Sequence, residues 1–272
     1  MGKLKTTLLL LFFVAFFYSN ATDSTIRYTL VKTINGLFKD FTIDPLGNIF
    51  VVNKNNQVKK YNVQFDSIAQ FNDIKRYGNI SLIDASNPLK ILLYFNHYNT
   101  ILITDRFLNV RNTIDCRKQN ILKATVIATS FDNNVWIFDE LDATLKKIND
   151  EGKIIFKTAD CRLLFEDFCN PQKIIDANGS IYLYCDKNGW IVLDYYGTLQ
   201  HQYKLINWED VQVINKILIG RVANKLVLSK PNELFEKSLT TNIELKNCIK
   251  LIQQKDKIFV LTKQGMEVYA EY

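Results

Sequence analysis

Apolar positions in this chain come in short unbroken runs, each entered through a turn. Residues 49–52 (Ile-Phe-Val-Val) follow Asp44-Pro-Leu-Gly-Asn48, and residues 91–94 (Ile-Leu-Leu-Tyr) follow Asn87-Pro-Leu-Lys90. Residues 135–138 (Val-Trp-Ile-Phe) follow Asp132-Asn-Asn134, and residues 181–184 (Ile-Tyr-Leu-Tyr) follow Asp176-Ala-Asn-Gly-Ser180. Weaker copies are residues 226–228 after Asn224-Lys225 and residues 258–261 after Lys255-Asp256-Lys257. Runs this short, rich in β-branched and aromatic residues and bounded by Asn, Asp, Gly and Pro, predict strands. Successive rather than alternate positions are apolar, so each strand is expected to be covered on both faces.

The runs recur. Their first residues, Ile49, Ile91, Val135, Ile181, Leu226 and Ile258, lie 42, 44, 46, 45 and 32 apart. A second series, the corner residues Asn62, Asp105, Asn149 and Asp194, has spacings of 43, 44 and 45. A fixed period of this length marks a repeat architecture. Face-to-face stacking of four-stranded blades covers inner strands on two sides, so the expected fold is all-β, a six-bladed β-propeller of four-stranded antiparallel blades. The six runs are taken as the second strands of the blades. Residues 26–32 alternate and lack a partner, while the last unit ends after a third strand. The N-terminal segment is therefore predicted to supply the outermost strand of the last blade and to remove its open edge.

Composition places this domain. Lys3 and Lys5, an apolar stretch over 8–17 and small residues at 19–21 form a secretory signal over residues 1–21, leaving residues 22–272 as one propeller domain. No later stretch is long and apolar enough to span a bilayer. The formal charge of +6 falls to +4 without Lys3 and Lys5, and basic residues are scattered, so nucleic acid is not an expected partner. Five cysteines, Cys116, Cys161, Cys169, Cys185 and Cys248, leave an odd thiol in an exported chain. Cys161 and Cys169 are close enough in sequence to close a small loop; the alternative is that most are small buried hydrophobes. Thr113-Ile-Asp-Cys116 and Thr158-Ala-Asp-Cys161 recur 45 apart, which puts Cys116 and Cys161 on adjacent blades, too far apart to bridge.

The stretch Asp44-Pro-Leu-Gly-Asn-Ile-Phe-Val-Val-Asn53 resembles the repeat of NHL-type six-bladed propellers, with degenerate copies over residues 129–139 and 176–186. The chain also resembles uncharacterised exported propellers of Bacteroidetes-type bacteria, which implies a periplasmic or outer-membrane-associated location and no established activity. Gluconolactonase-like propellers, similar in architecture only, hold calcium in their channel through oxygen ligands. The equivalent carboxylates here are Asp44, Asp84 and Asp176, and their bland role is to hold turns.

No phosphate loop, nucleophile elbow or zinc motif occurs. His97 falls at a hairpin tip and His201 in an outer strand, neither with an evident polar partner. Neither a catalytic residue nor a cofactor is expected. Asn79 and Asn178 fit a glycosylation pattern that matters only in a eukaryotic secretory pathway. Candidate binding residues fall in loops: Lys54, Asn56, Lys75, Arg76, Tyr77, His97, Tyr98, Glu140, Asp142, Lys187, Trp208 and Lys230. Loop aromatics such as Tyr98 and Trp208 mark contact surfaces, unless they fold back onto a blade. The reading is a non-enzymatic binding or scaffolding module whose partner is an envelope protein, with outer-membrane assembly or secretion machinery as one form by analogy. A metal-dependent lactonase-like hydrolase and a saccharide-binding propeller are the alternatives.

Overall fold

Strands that are apolar on both faces need a sheet on either side. The computed structural model provides this with six four-stranded antiparallel sheets around a ring. It describes residues 26–272 other than 232, 234 and 235, so the expected signal segment lies outside the described residues. The innermost strands of blades 1 to 6 are Phe38–Ile43, Leu82–Asn87, Ala124–Thr129, Lys173–Ala177, Glu209–Ile214 and Lys250–Gln254. Each neighbours the next, and the sixth returns to the first. In blades 1 to 5 the next three strands pair outward in chain order. Blade 6 takes Lys257–Leu261, Gly265–Glu271 and, outermost, Tyr28–Asn35. The N-terminal strand therefore closes the ring, as the unpartnered alternation predicts.

The core is divided among the blades. Six clusters of buried residues each belong to one seam between neighbours, for example Phe50, Leu93 and Leu102 between blades 1 and 2. The second strands are the ones buried on both faces: all residues of Lys90–Phe95 and of Val135–Asp139 are buried. The seam between blades 4 and 5 buries four aromatic side chains, Tyr182, Tyr184, Trp190 and Trp208.

The period of the corner residues has a local cause. Asn62, Asp105 and Asp194 each accept backbone N–H bonds from the second and fourth residues that follow. Asn149 accepts from the fourth. The residue three positions on takes positive φ: Phe65, Leu108, Gly152 and Gly197. Asn and Asp recur because a short side chain with an acceptor holds this five-residue turn between third and fourth strands.

Blade 5 departs from the predicted register. Residues 226–228 lie in its third strand, Lys225–Ser229, while the second strand is Ile217–Val222. Two two-residue hairpins, at Asn215-Lys216 and Ala223-Asn224, flank that strand; both central residues of the first take positive φ, and only Ala223 does in the second. The spacing of 32 thus reflects a strand taken one place too late.

The cysteines are also paired differently. Cys169 bridges Cys185, with Cα atoms 6.3 Å apart, and not Cys161. Cys161 and Cys116 are free and fully buried. Each follows an Asp that caps a single helical turn: Asp115 accepts from Arg117 N and Asp160 from Arg162 N. That capping accounts for the repeated Asp-Cys pair. Burial pushes the Cys116 thiol up to about 12 and raises that of Cys161, so both act as small apolar fillers.

Candidate functional site

Antiparallel pairing sends the connections to two ends of the ring. Blade-to-blade connections and second-to-third hairpins emerge at one end, here the connection face. First-to-second and third-to-fourth turns emerge at the other, the turn face. Of the loop residues singled out from sequence, all but Lys230 fall on the connection face. Lys230 follows the third strand of blade 5 and lies on the turn face.

The longest connection on that face is also the most constrained. Residues 158–172 join blades 3 and 4 and contain the helical turn Cys161–Leu164. Asp160 caps that turn and holds Arg162 through paired bonds of 2.6 and 3.2 Å. Phe165 packs on Phe168, and Phe168 on Phe138, which anchors the loop to the blade below. The Cys169–Cys185 bridge ties its far end to the second strand of blade 4. From this base Leu163 projects with 85% of its surface exposed and Leu164 with 46%. Leu37, Leu122, Ile206 and Ile249 are the exposed apolar residues of four other blade connections, and Tyr98 and Leu141 those of two hairpins. The turn face carries exposed apolar tips as well, Leu46, Leu89, Phe107 and Phe131 among them. Those sit in short turns or stack locally, as Phe131 does on Tyr195 at 4.3 Å.

The polar candidates divide into free and engaged groups. Lys54, Lys75, Arg76, His97 and Lys187 are exposed. Asn56 is engaged, accepting from Lys39 and donating to Asn79. Glu140 pairs with Lys123 at 3.0 Å. Asp142 meets Lys146 at 3.0 Å and Lys157 at 2.8 Å. Burial acts against its ionisation, but hydrogen bonds from Lys157, Thr144 and Lys146 outweigh this and hold the carboxyl at about 2. Two aromatics predicted as contact groups are core instead. Tyr77 is buried against Phe95, and Trp208 takes the folded-back alternative, only 3% exposed. Trp208 donates its indole N–H to Glu236 at 2.8 Å and packs edge-on to Trp190. Its loop position alone does not reveal this, because Tyr184, Trp190 and Gly220, which receive it, come from three other strands.

The channel carboxylates do not gather. Asp44 is fully buried in its own turn, accepting from Leu46 N, Asn48 N and the Asn48 side chain. Asp84 accepts from Thr129 N in the next blade. Asp176 accepts from Ser130, Phe131 N, Trp136 and Tyr195. Asp84 and Asp176 thus latch blade 3 from either side, and no metal-holding group of carboxylates, His and Cys occurs among the described residues. Near the connection-face mouth Lys250 pairs with Asp40 at 2.6 Å. Lys173 makes no ion pair among the described residues, and desolvation, aided by Lys250, lowers its pKa. Sequence reasoning missed both lysines, since nothing in a strand pattern marks which of its residues line a channel.

No family model matches this chain, and no curated protein matches it in sequence. Solved structures are similar in fold. A virginiamycin B lyase from Staphylococcus aureus superposes with a TM-score of 0.60 at 11% identity, covering 90% of this chain and 99% of that one. BamB from Moraxella catarrhalis gives 0.53 at 14% identity, over 89% and 72%. The extracellular domain of a one-component system of B. thetaiotaomicron gives 0.56 at 11% identity, covering 86% of this chain and 32% of that one. At these identities the likeness is one of fold: an all-β propeller of six four-stranded blades.

Proposed function

We propose that this protein is an exported, non-enzymatic propeller that binds a protein partner in the cell envelope through its connection face. The observation that carries this is the stapled connection between blades 3 and 4. A loop of this length inside a compact domain is usually functional. This one is capped, packed from beneath and closed by a disulfide, yet it holds two leucines in water. Rigid presentation of apolar side chains lowers the entropy lost on binding. Lys54, Lys75, Arg76, His97 and Lys187 would form the polar rim, with Tyr98 and Leu141 inside it. A disulfide fits an oxidising compartment, in keeping with the expected signal segment. Among the solved relatives in fold, one is BamB and another an extracellular domain.

The test is crosslinking in the native envelope, with partners read by mass spectrometry. The Leu163→Asp/Leu164→Asp double variant should lose the captured partner, because two charges enter the centre of the surface. Leu89→Asp, on the turn face, should keep it. Equal capture by the two variants would sink this reading.

A further inference from the structure

Among the described residues, the turn-face end of the seam between blades 4 and 5 is not filled. Trp208, Trp190 and Tyr184 close the seam toward the connection face, where Tyr184 Oη accepts from Trp208 N at 2.6 Å. The outermost strand of blade 5, Lys237–Leu239, has three residues and starts well after its neighbour ends at Ser229. It covers little of the blade. What remains is a cleft of about 170 Å³ lined by residues of both blades. That is about the size of an engineered cavity that takes one benzene ring.

Its chemistry is specific. Val192, Leu218 and the ring of Tyr182 make a buried apolar floor. Lys216, Lys230 and His201 stand around it, and no carboxylate lines it among the described residues. Tyr182 is 6% exposed, so its ring is buried, and it forms part of the cleft wall. Lys216 adds an independent sign. It occupies the second position of a two-residue hairpin at φ 67, following Asn215 at φ 51. A long side chain gains nothing from that conformation, which Asn or Gly adopts more readily. Here it sets Lys216 at the cleft mouth.

We infer that this cleft binds a small carboxylate carried on a single six-membered ring. The ring lies on the apolar floor, the carboxylate meets the ammonium groups of Lys216 and Lys230, and the Tyr182 hydroxyl bonds a polar group of the ring. An aromatic acid and a sugar acid share this chemistry. The site lies on the face opposite the proposed docking surface and is independent of it.

Calorimetric titration of the mature protein separates the sources. The probes are 4-hydroxybenzoate and glucuronate, with 4-hydroxybenzyl alcohol and glucose as their uncharged counterparts. At least one acid should bind with a millimolar or tighter Kd, and its uncharged counterpart at least roughly tenfold more weakly, since charge-assisted hydrogen bonds dominate such sites. Lys216→Asn should weaken binding by a similar factor without lowering the melting temperature, because Asn accepts the positive φ. Lys230→Gln and Tyr182→Phe should each weaken it as well. Saturation by neither acid, equal binding of an uncharged counterpart, or wild-type affinity in all three variants overturns the proposal.

Discussion

Lys146 is 1% exposed in the third strand of blade 3, a position that would ordinarily take an aliphatic residue. It stays there because Asp139 lies 2.6 Å from its ammonium group and Asp142 3.0 Å, while the Asn120 carbonyl accepts a third bond. Asp139 in turn accepts from the backbone N–H groups of Leu122, Lys123 and Leu141, so the network satisfies both charges. One member reaches solvent: the Asp142 side chain is 38% exposed. Its carboxyl is held at about 2, below the ordinary value of 3.8. A folded-state value below the unfolded one contributes stability above about pH 4 and loses it as pH falls toward 2. Solvent screening at this exposure keeps the contribution to about 1 kcal/mol. Urea unfolding at pH 6 and at pH 3 should show a smaller pH effect in Asp142→Asn than in the wild type. An equal pH effect in both proteins would remove Asp142 from the account.

Among elements, the turns separate conformational need from steric need. Gly179 and Gly189 both belong to blade 4 and have φ of +82° and +83°. A Cβ on Gly179 would meet nothing within 4 Å, whereas one on Gly189 would lie 2.2 Å from the Tyr203 carbonyl oxygen and 2.7 Å from Leu205 N. Gly179→Ala should therefore cost only the left-handed conformation, about 1–2 kcal/mol. Gly189→Ala should cost about 3 kcal/mol or more, because rigid backbone has to shift. Chemical denaturation of the two variants decides this, and equal losses would contradict it. The same contrast bounds what the chain discloses before folding. Asn62, Asp105, Asn149 and Asp194 act within five residues, so their role is legible in sequence. The two-sided apolar runs show that strands are covered twice, which leads to the propeller. Trp208, Lys173 and the Cys169–Cys185 bridge depend on neighbours from other strands or blades, and only the closed ring brings these together. Blade 5 was obscured for a local reason, since Gly220 and Arg221 interrupt the apolar run of its second strand, Ile217–Val222. The candidate surface was legible as a set of loops, while the exposure of Leu163 follows only once the loop is seen stapled.

At the scale of the molecule, stability is distributed over six seams, and one closure joins the sixth blade to the first. Tyr28–Asn35 pairs with Gly265–Glu271 along its length, from Tyr28 opposite Glu271 to Asn35 opposite Gly265. Tyr28 reaches into the seam between blades 5 and 6, and Ile34 into that between blades 6 and 1. Asn242 fixes the start of this strand by accepting from Tyr28 N at 2.7 Å and donating to Tyr28 O at 2.8 Å. Blade 6 is thus held on both flanks by a segment remote in sequence. A variant that begins at Gly36 loses the burial of Tyr28 and Ile34, worth about 4 kcal/mol together. It also uncovers the edge of Gly265–Glu271, which then offers unpaired backbone groups to another molecule. The melting temperature of that variant should fall by about 10 °C for a domain of this size. Light scattering should show association that the chain retaining Tyr28–Asn35 lacks. A synthetic peptide of residues 26–35 added in trans should restore the monomer by occupying the vacant edge, and a scrambled peptide should not. A truncated protein that stays monomeric and melts at the wild-type temperature would mean that the other five seams hold the ring without this closure.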